Sequence, residues 1–224
     1  MSKSVGCVPL AAVALVAFGT CLEGRAQVII APVSVLATPP INGNFSFDRT
    51  IDQSGLSTTY VSGVTNFNAY VASSPTHLRT NIPPTFGLTA TNPPGNVDYD
   101  LGSVYDLDKM AFWNYGFSGS AAINSFQVYT SNDSTFTTSF LAGSFTAVDD
   151  GNSTFNNVQV FDLTDSTARY VRMSVLTRAG PAGVGFGYGE IAFGTAAIPE
   201  PSPATLGLVC LGLASLGRAI RRRR

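Results

Sequence analysis

Few residues in this chain of 224 could carry out a reaction. It has one histidine, His77, and its three cysteines, Cys7, Cys21 and Cys210, all lie in the end segments. A zinc site or a catalytic triad needs a histidine with partners. No H-x-x-x-H spacing and no nearby cysteine accompanies His77. The phrase GFSGS at 116–120 approaches a nucleophile elbow, but the closing glycine is missing and no helical pattern follows. GVGFGYGE at 183–190 has the glycines of a phosphate loop. It leads into a strand pattern, however, so no helix N-terminus awaits an anion. Asp98, Asp100, Asp106 and Asp108 form a local acid cluster that reads as solvated surface, two on the outer face of a strand and two in its turn. The facing carboxylates of a glycosidase cannot be placed from spacing alone. The inventory points away from catalysis and towards binding.

The binding candidates fall in two places. Residues 73–95 hold five prolines, and a proline lacks the amide hydrogen a strand ladder needs, so the stretch reads as surface loop. Long loops in compact domains often carry function, which makes His77 and Arg79 candidate ligand contacts. The second place is the aromatic run of Trp113, Tyr115 and Phe117. Aromatic faces suit the apolar faces of pyranose rings. Trp113 reads as core, whereas Tyr115 and Phe117 approach a loop and join the ligand-binding candidates.

These residues must be held by strands. In residues 97–101, Val97, Tyr99 and Leu101 alternate with Asp98 and Asp100, the period of a half-buried strand. Gly102 and Ser103 break the pattern, and 109–115 resumes it around the single tryptophan. The two runs read as an antiparallel pair whose apolar side needs a second sheet. Further strands are read at 123–130, 140–147, 158–163, 168–176 and 190–193, separated by turn signals such as SNDSTF and DDGN. In 168–176, Val171, Met173 and Val175 alternate with Tyr170, Arg172 and Ser174. Residues 45–71 show strand and turn signals without helical periodicity. The fold class is all-β, a jelly-roll β-sandwich.

The two ends look like address segments. Residues 1–26 have a basic start, an apolar run at 8–18 and small residues Gly24 and Ala26 before a cleavage point, the pattern of a secretory signal peptide. The body, 27–197, contains no cysteine and has six basic residues against twelve acidic ones, a net of −6. A surface of that sign disfavours nucleic acid as a partner.

Four phrases taken in order resemble the discoidin, or factor 5/8 type C, family of galactose-binding-like domains. They are YDLGSVYDLDKMAFWNY, INSFQVYTSNDSTF, VQVFDLTDSTARYVRMSVL and GYGEIAF, and the match covers about 66–193. The resemblance implies an eight-stranded sandwich whose end loops bind sugars, often beside a structural calcium ion. It implies Glu190 as a metal ligand and calcium as the one cofactor to look for. No acid lies between His77 and Asn96, where the resemblance puts the other ligands.

The segment 198–224 closely resembles the bacterial PEP-CTERM sorting signal. Pro199, Glu200 and Pro201 precede an apolar run at 204–217, and Arg221, Arg222, Arg223 and Arg224 end the chain. The apolar run would form a short transmembrane helix with the arginines held on the cytoplasmic side. The resemblance implies a membrane transpeptidase of the exosortase type as processing partner. The expectation is an exported, non-catalytic protein of the envelope or extracellular matrix of a Gram-negative-type bacterium, binding extracellular polysaccharide. The alternatives are a structural matrix (biofilm) protein without a specific ligand and, less favoured, a polysaccharide hydrolase.

Overall fold

A computed structural model of the chain describes residues 27–79, 84–115, 121–152, 154–180 and 185–196. The signal segment, Phe117 and the sorting segment with its short helix lie outside the described residues. In chain order the strands are β1 (Ile29–Ile30), β2 (Ser34–Ala37), β3 (Thr76–Leu78), β4 (Gly87–Leu88), β5 (Gly95–Asn114), β6 (Ile123–Ser131), β7 (Phe140–Thr146), β8 (Phe155–Arg178) and β9 (Gly187–Thr195). A 3₁₀ turn spans Phe47–Thr50, and one short helix, α1, spans Phe67–Ala72. No helix of the described residues is long and apolar enough to cross a membrane.

Two long strands build the sandwich. β5 pairs with β8 twice, Gly95–Asp100 against Tyr170–Val175 and then Leu107–Trp113 against Val158–Ser166. Between those stretches the register shifts, across 101–104 on β5, and a further irregularity lies within the second at Leu107/Lys109. Both strands therefore bend at the same height, and each contributes one leg to each layer. The first layer is β2, the first leg of β5, the second leg of β8, β6 and β7. The second is β1 and β4 on β9, followed by the second leg of β5 and the first leg of β8, which also carries β3. Every pairing between these strands is antiparallel. The result is the jelly roll that the alternating pattern predicts.

The core lies between the layers. Val97, Tyr99 and Leu101 from the first leg of β5 meet Met110 and Phe112 from the second, with Val171, Met173 and Val175 alongside. The inward set of 168–176 is the one its alternation predicts. Phe112, Phe126 and Phe161 pack as an aromatic stack, with centroids 5.2 to 6.4 Å apart. A second cluster covers the outer face of the other layer, where Phe67 and Tyr70 of α1 pack with Ile29, Ala111, Trp113 and Ala192. Trp113 is fully buried there and donates from Nε1 to the Pro75 carbonyl at 3.0 Å. It is core, as read.

Four expectations change. The two aromatic-rich runs do not pair with each other among the described residues: they are successive legs of β5, and β8 is their shared partner. The stretch 73–95 is not all surface loop. It contains β3 and β4, and His77, Phe86 and Leu88 are buried, because the prolines sit beside the short ladders rather than in them. Residues 45–71 do contain a helix. At six residues α1 is too short to show a helical period, and its legible signal is the Asn66 cap, whose Oδ1 accepts from the Ala69 amide at 2.7 Å.

The fourth change concerns the acids. Asp98 and Asp100 point outward from β5, as alternation requires, yet both are buried. Arg172 grips Asp98 through Nε and Nη2, both at 2.7 Å, and Arg169 grips Asp100 in the same way at 2.8 Å. The Arg169 guanidinium holds the Asp100 carboxyl below the usual carboxylate range. These planar pairs seal the outer face of the first layer.

Candidate functional site

One end of the sandwich gathers the ends of β3, β4, β5 and β6. Asn114, the last residue of β5, fixes that geometry. It is buried, and its Nδ2 donates to the carbonyls of Ile123 and Val148 at 2.8 and 3.1 Å. Its Oδ1 accepts from the amides of Tyr115 and Ile123, both at 2.9 Å. Every hydrogen-bonding position of the side chain is thus engaged. The rivet sets where Tyr115 leaves the sheet. Nothing in the sequence separates this asparagine from the many turn asparagines around it.

Arg79 follows β3 directly, and its amide is held by the Thr154 carbonyl at 2.9 Å. Its Nη2 donates to the Tyr115 hydroxyl at 2.7 Å, with the guanidinium carbon 4.7 Å from the Tyr115 ring centroid. Phe86 lies 4.8 Å from Tyr115 between ring centroids, and Phe45 stacks on Phe86 at 4.9 Å. The fold therefore joins two of the sequence candidates, Arg79 and Tyr115, and adds Phe86 and Phe45, which sequence reasoning missed. The missed signal lay in 73–95, which read as surface loop throughout and hid a buried phenylalanine. Phe86 and Tyr115 are buried, so these rings fix the half-buried arginine in place by cation–π contact rather than present an open face.

His77 is placed differently. It lies in the middle of β3, fully buried, with its ring between Gly55 and Gly189. A Cβ at Gly55 would come within 2.2 Å of that ring and one at Gly189 within 2.5 Å, so both positions require glycine. Neither ring nitrogen makes a hydrogen bond of good geometry. Burial pushes the imidazole down to about 4, against the pull of nearby Asp52. His77 is a core residue that supports the end of the sandwich, not one that reaches a ligand.

Glu190 is also buried, in β9 opposite Trp113. The segment over it is 51–60, earlier in the chain than the resemblance suggests. Its Oε2 accepts from the Gln53 amide at 3.1 Å, and its Oε1 has no partner. Burial pushes the carboxyl well above the usual range. A calcium ion takes six to eight oxygens. Nearby Asp52 binds Arg49 and accepts from the Ser54 amide. Among the described residues no group of three acidic, histidine or cysteine side chains comes together. The structure places Glu190 as a buried acid with one oxygen hydrogen-bonded and the other without a partner among the described residues.

Comparison with known proteins agrees with the architecture. Residues 76–173 match the F5/F8 type C model described as a NedA-like, galactose-binding domain. No curated protein sequence matches the chain. Among solved structures, the family 32 carbohydrate-binding module of Clostridium perfringens NanJ, solved with galactose, superposes with a TM-score of 0.50 at 10% identity. That match covers 75% of this chain and 98% of the module. A truncated AlyQ with family 32 module and alginate lyase domains gives a TM-score of 0.51 at 18% identity, over 78% of this chain and 35% of that one. At such identities the likeness speaks for the fold alone. The body of this chain has the galactose-binding-like jelly-roll fold, with residues 76–173 similar to the F5/F8 type C model.

Proposed function

We propose that this domain binds carbohydrate without transforming it, through the end of the sandwich that carries Arg79. The observation that carries the reading is Arg79 held at 2.7 Å by Tyr115 on a ledge of three aromatic rings. The galactose bound to the Clostridium perfringens module supports a sugar as the class of ligand. The thin inventory of reactive side chains supports binding over hydrolysis. Tyr115 positions the guanidinium, and Phe86 and Phe45 stiffen the ledge from beneath.

The destination we infer is outside the cell, at the envelope or in the extracellular polysaccharide. The signal-like 1–26 and the Pro199-Glu200-Pro201 tail support that reading. An exosortase-type enzyme is the partner such a tail implies, with the membrane as a way station.

A glycan array probed with the full chain tests the binding. Arg79→Ala is expected to weaken binding about tenfold or more, the worth of one or two charge-assisted hydrogen bonds. A variant that folds and binds like the parent would sink the Arg79 site. Failure to bind any glycan favours the spacer role in the matrix instead.

A further inference from the structure

We infer a second saccharide site, at the opposite end of the sandwich, in a cleft between the β6–β7 loop and the bend of β8. β6 starts at Ile123, bonded to Asn114 near the Arg79 ledge, and ends at Ser131, which lines the cleft. At ~3.3 Å per residue the strand separates the two sites by about 26 Å. The inference extends the proposed sugar-binding role but uses none of the same residues.

The cleft measures about 610 Å³, within the usual range of ligand pockets. Its walls are rigid. Asn132 donates from Nδ2 to the Thr167 carbonyl and accepts at Oδ1 from the Arg169 amide, both at 3.0 Å, which ties the loop to the β8 bend. Asp133 accepts from the amides of Thr135 and Thr137 at 3.0 Å each, and Ser131 Oγ donates to the Thr138 carbonyl at 2.7 Å. Phe136 takes a positive φ of 56° so that its ring tucks beneath Arg172, at 4.2 Å from the guanidinium carbon. A loop fastened at so many points keeps its shape before any ligand arrives, which lowers the entropic cost of binding.

The lining chemistry selects the ligand. Phe140 stands 48% exposed at the rim, a free aromatic face. Thr138 and Ser139 add hydroxyls, while the Thr167 hydroxyl is turned to Asp106 and the Ser166 hydroxyl is buried. Asp165 adds an exposed carboxylate, and no lysine or arginine lines the cleft. An aromatic face beside hydroxyls and a carboxylate fits a neutral or amino sugar. The absence of a lining cation disfavours a uronate. A domain with one such site at each end can bridge two glycan chains.

Amide NMR spectra of the full chain, titrated separately with cellotetraose, a chitosan tetramer and tetragalacturonate, test this site by site. The expected result is shifts at 131–140 and 165–167 with one or both of the first two probes and none there with tetragalacturonate. Phe140→Ala should weaken that response about fivefold to tenfold, the worth of one aromatic stack. Asp165→Asn should weaken the chitosan tetramer more than cellotetraose. Shifts confined to Arg79 and Tyr115 would overturn this inference and leave the first site standing. Shifts at the cleft that survive Arg79→Ala would support it even if the first site failed. Silence at the cleft with all three probes, or a response untouched by Phe140→Ala, overturns it.

Discussion

At the scale of single residues, His77 shows how far burial can change a side chain's meaning. As the lone histidine in a proline-rich stretch it reads as a surface group. In the structure it is a core ring wedged between two glycines, with its titration lowered from 6.5 to about 4. An unfolded chain takes up a proton near pH 6.5, whereas the folded one resists until near pH 4. Its contribution to stability is therefore complete above pH 6.5 and declines as pH falls towards 4, by ~3 kcal/mol in all. Glu190 works in the opposite sense: its raised carboxyl favours the folded state as acid neutralises it. His77→Phe keeps an aromatic ring in the slot and removes only the titration. Its stability, followed by urea unfolding from pH 7 to pH 4.5, should fall less steeply than that of the parent. Parallel profiles would mean that His77 is not the group that resists protonation.

At the scale of elements, the seam between β5 and β8 holds the two layers in register, and the arginine–aspartate pairs lie on its outer face. Arg172 also covers Phe136, so its role is partly apolar. Arg172→Met keeps that cover but leaves Asp98 buried and unpaired, which should cost ~2–4 kcal/mol. Adding Asp98→Asn removes the stranded charge and should recover about half of the loss. Chemical denaturation of the two variants checks this, and a double variant no better than the single would refute a charge-based seam. The same seam shows what was legible in the sequence. Alternation located both legs of β5 and the inward face of β8, because side-chain period is a local property. It could not tell that the legs belong to different layers, since a bend and a hairpin share the same glycine and serine signal. Nor could it see the arginines waiting on β8, so Asp98 and Asp100 looked solvated. For the candidate site the outcome is similar. Arg79 and Tyr115 were legible by type, whereas Phe86 and Asn114 depend on partners 29 and 9 residues away in the chain, which no local pattern reports.

At the scale of the whole molecule, the distribution of charge and sulfur separates the working body from its ends. The body is acidic and free of cysteine, while seven of the thirteen basic residues and all three cysteines lie in the flanking segments. A cysteine-free sandwich reaches its final form by packing alone and gains nothing from an oxidising compartment. Under the proposed sorting role, the terminal arginines would act only while a membrane lies beside them, opposing translocation and holding the apolar run at 204–217 in place. That run is shorter than the ~20 residues of a comfortable span, which suits a temporary anchor better than a lasting one. If the tail serves for sorting, the mature protein should begin at Gln27 and should have lost Arg221, Arg222, Arg223 and Arg224. Intact-mass and terminal-peptide mapping of the protein from fractionated cells measures both ends at once. A mature chain in the envelope fraction that still carries the four arginines would make the tail a permanent anchor. The domain would then be held at the membrane surface rather than passed on to the matrix.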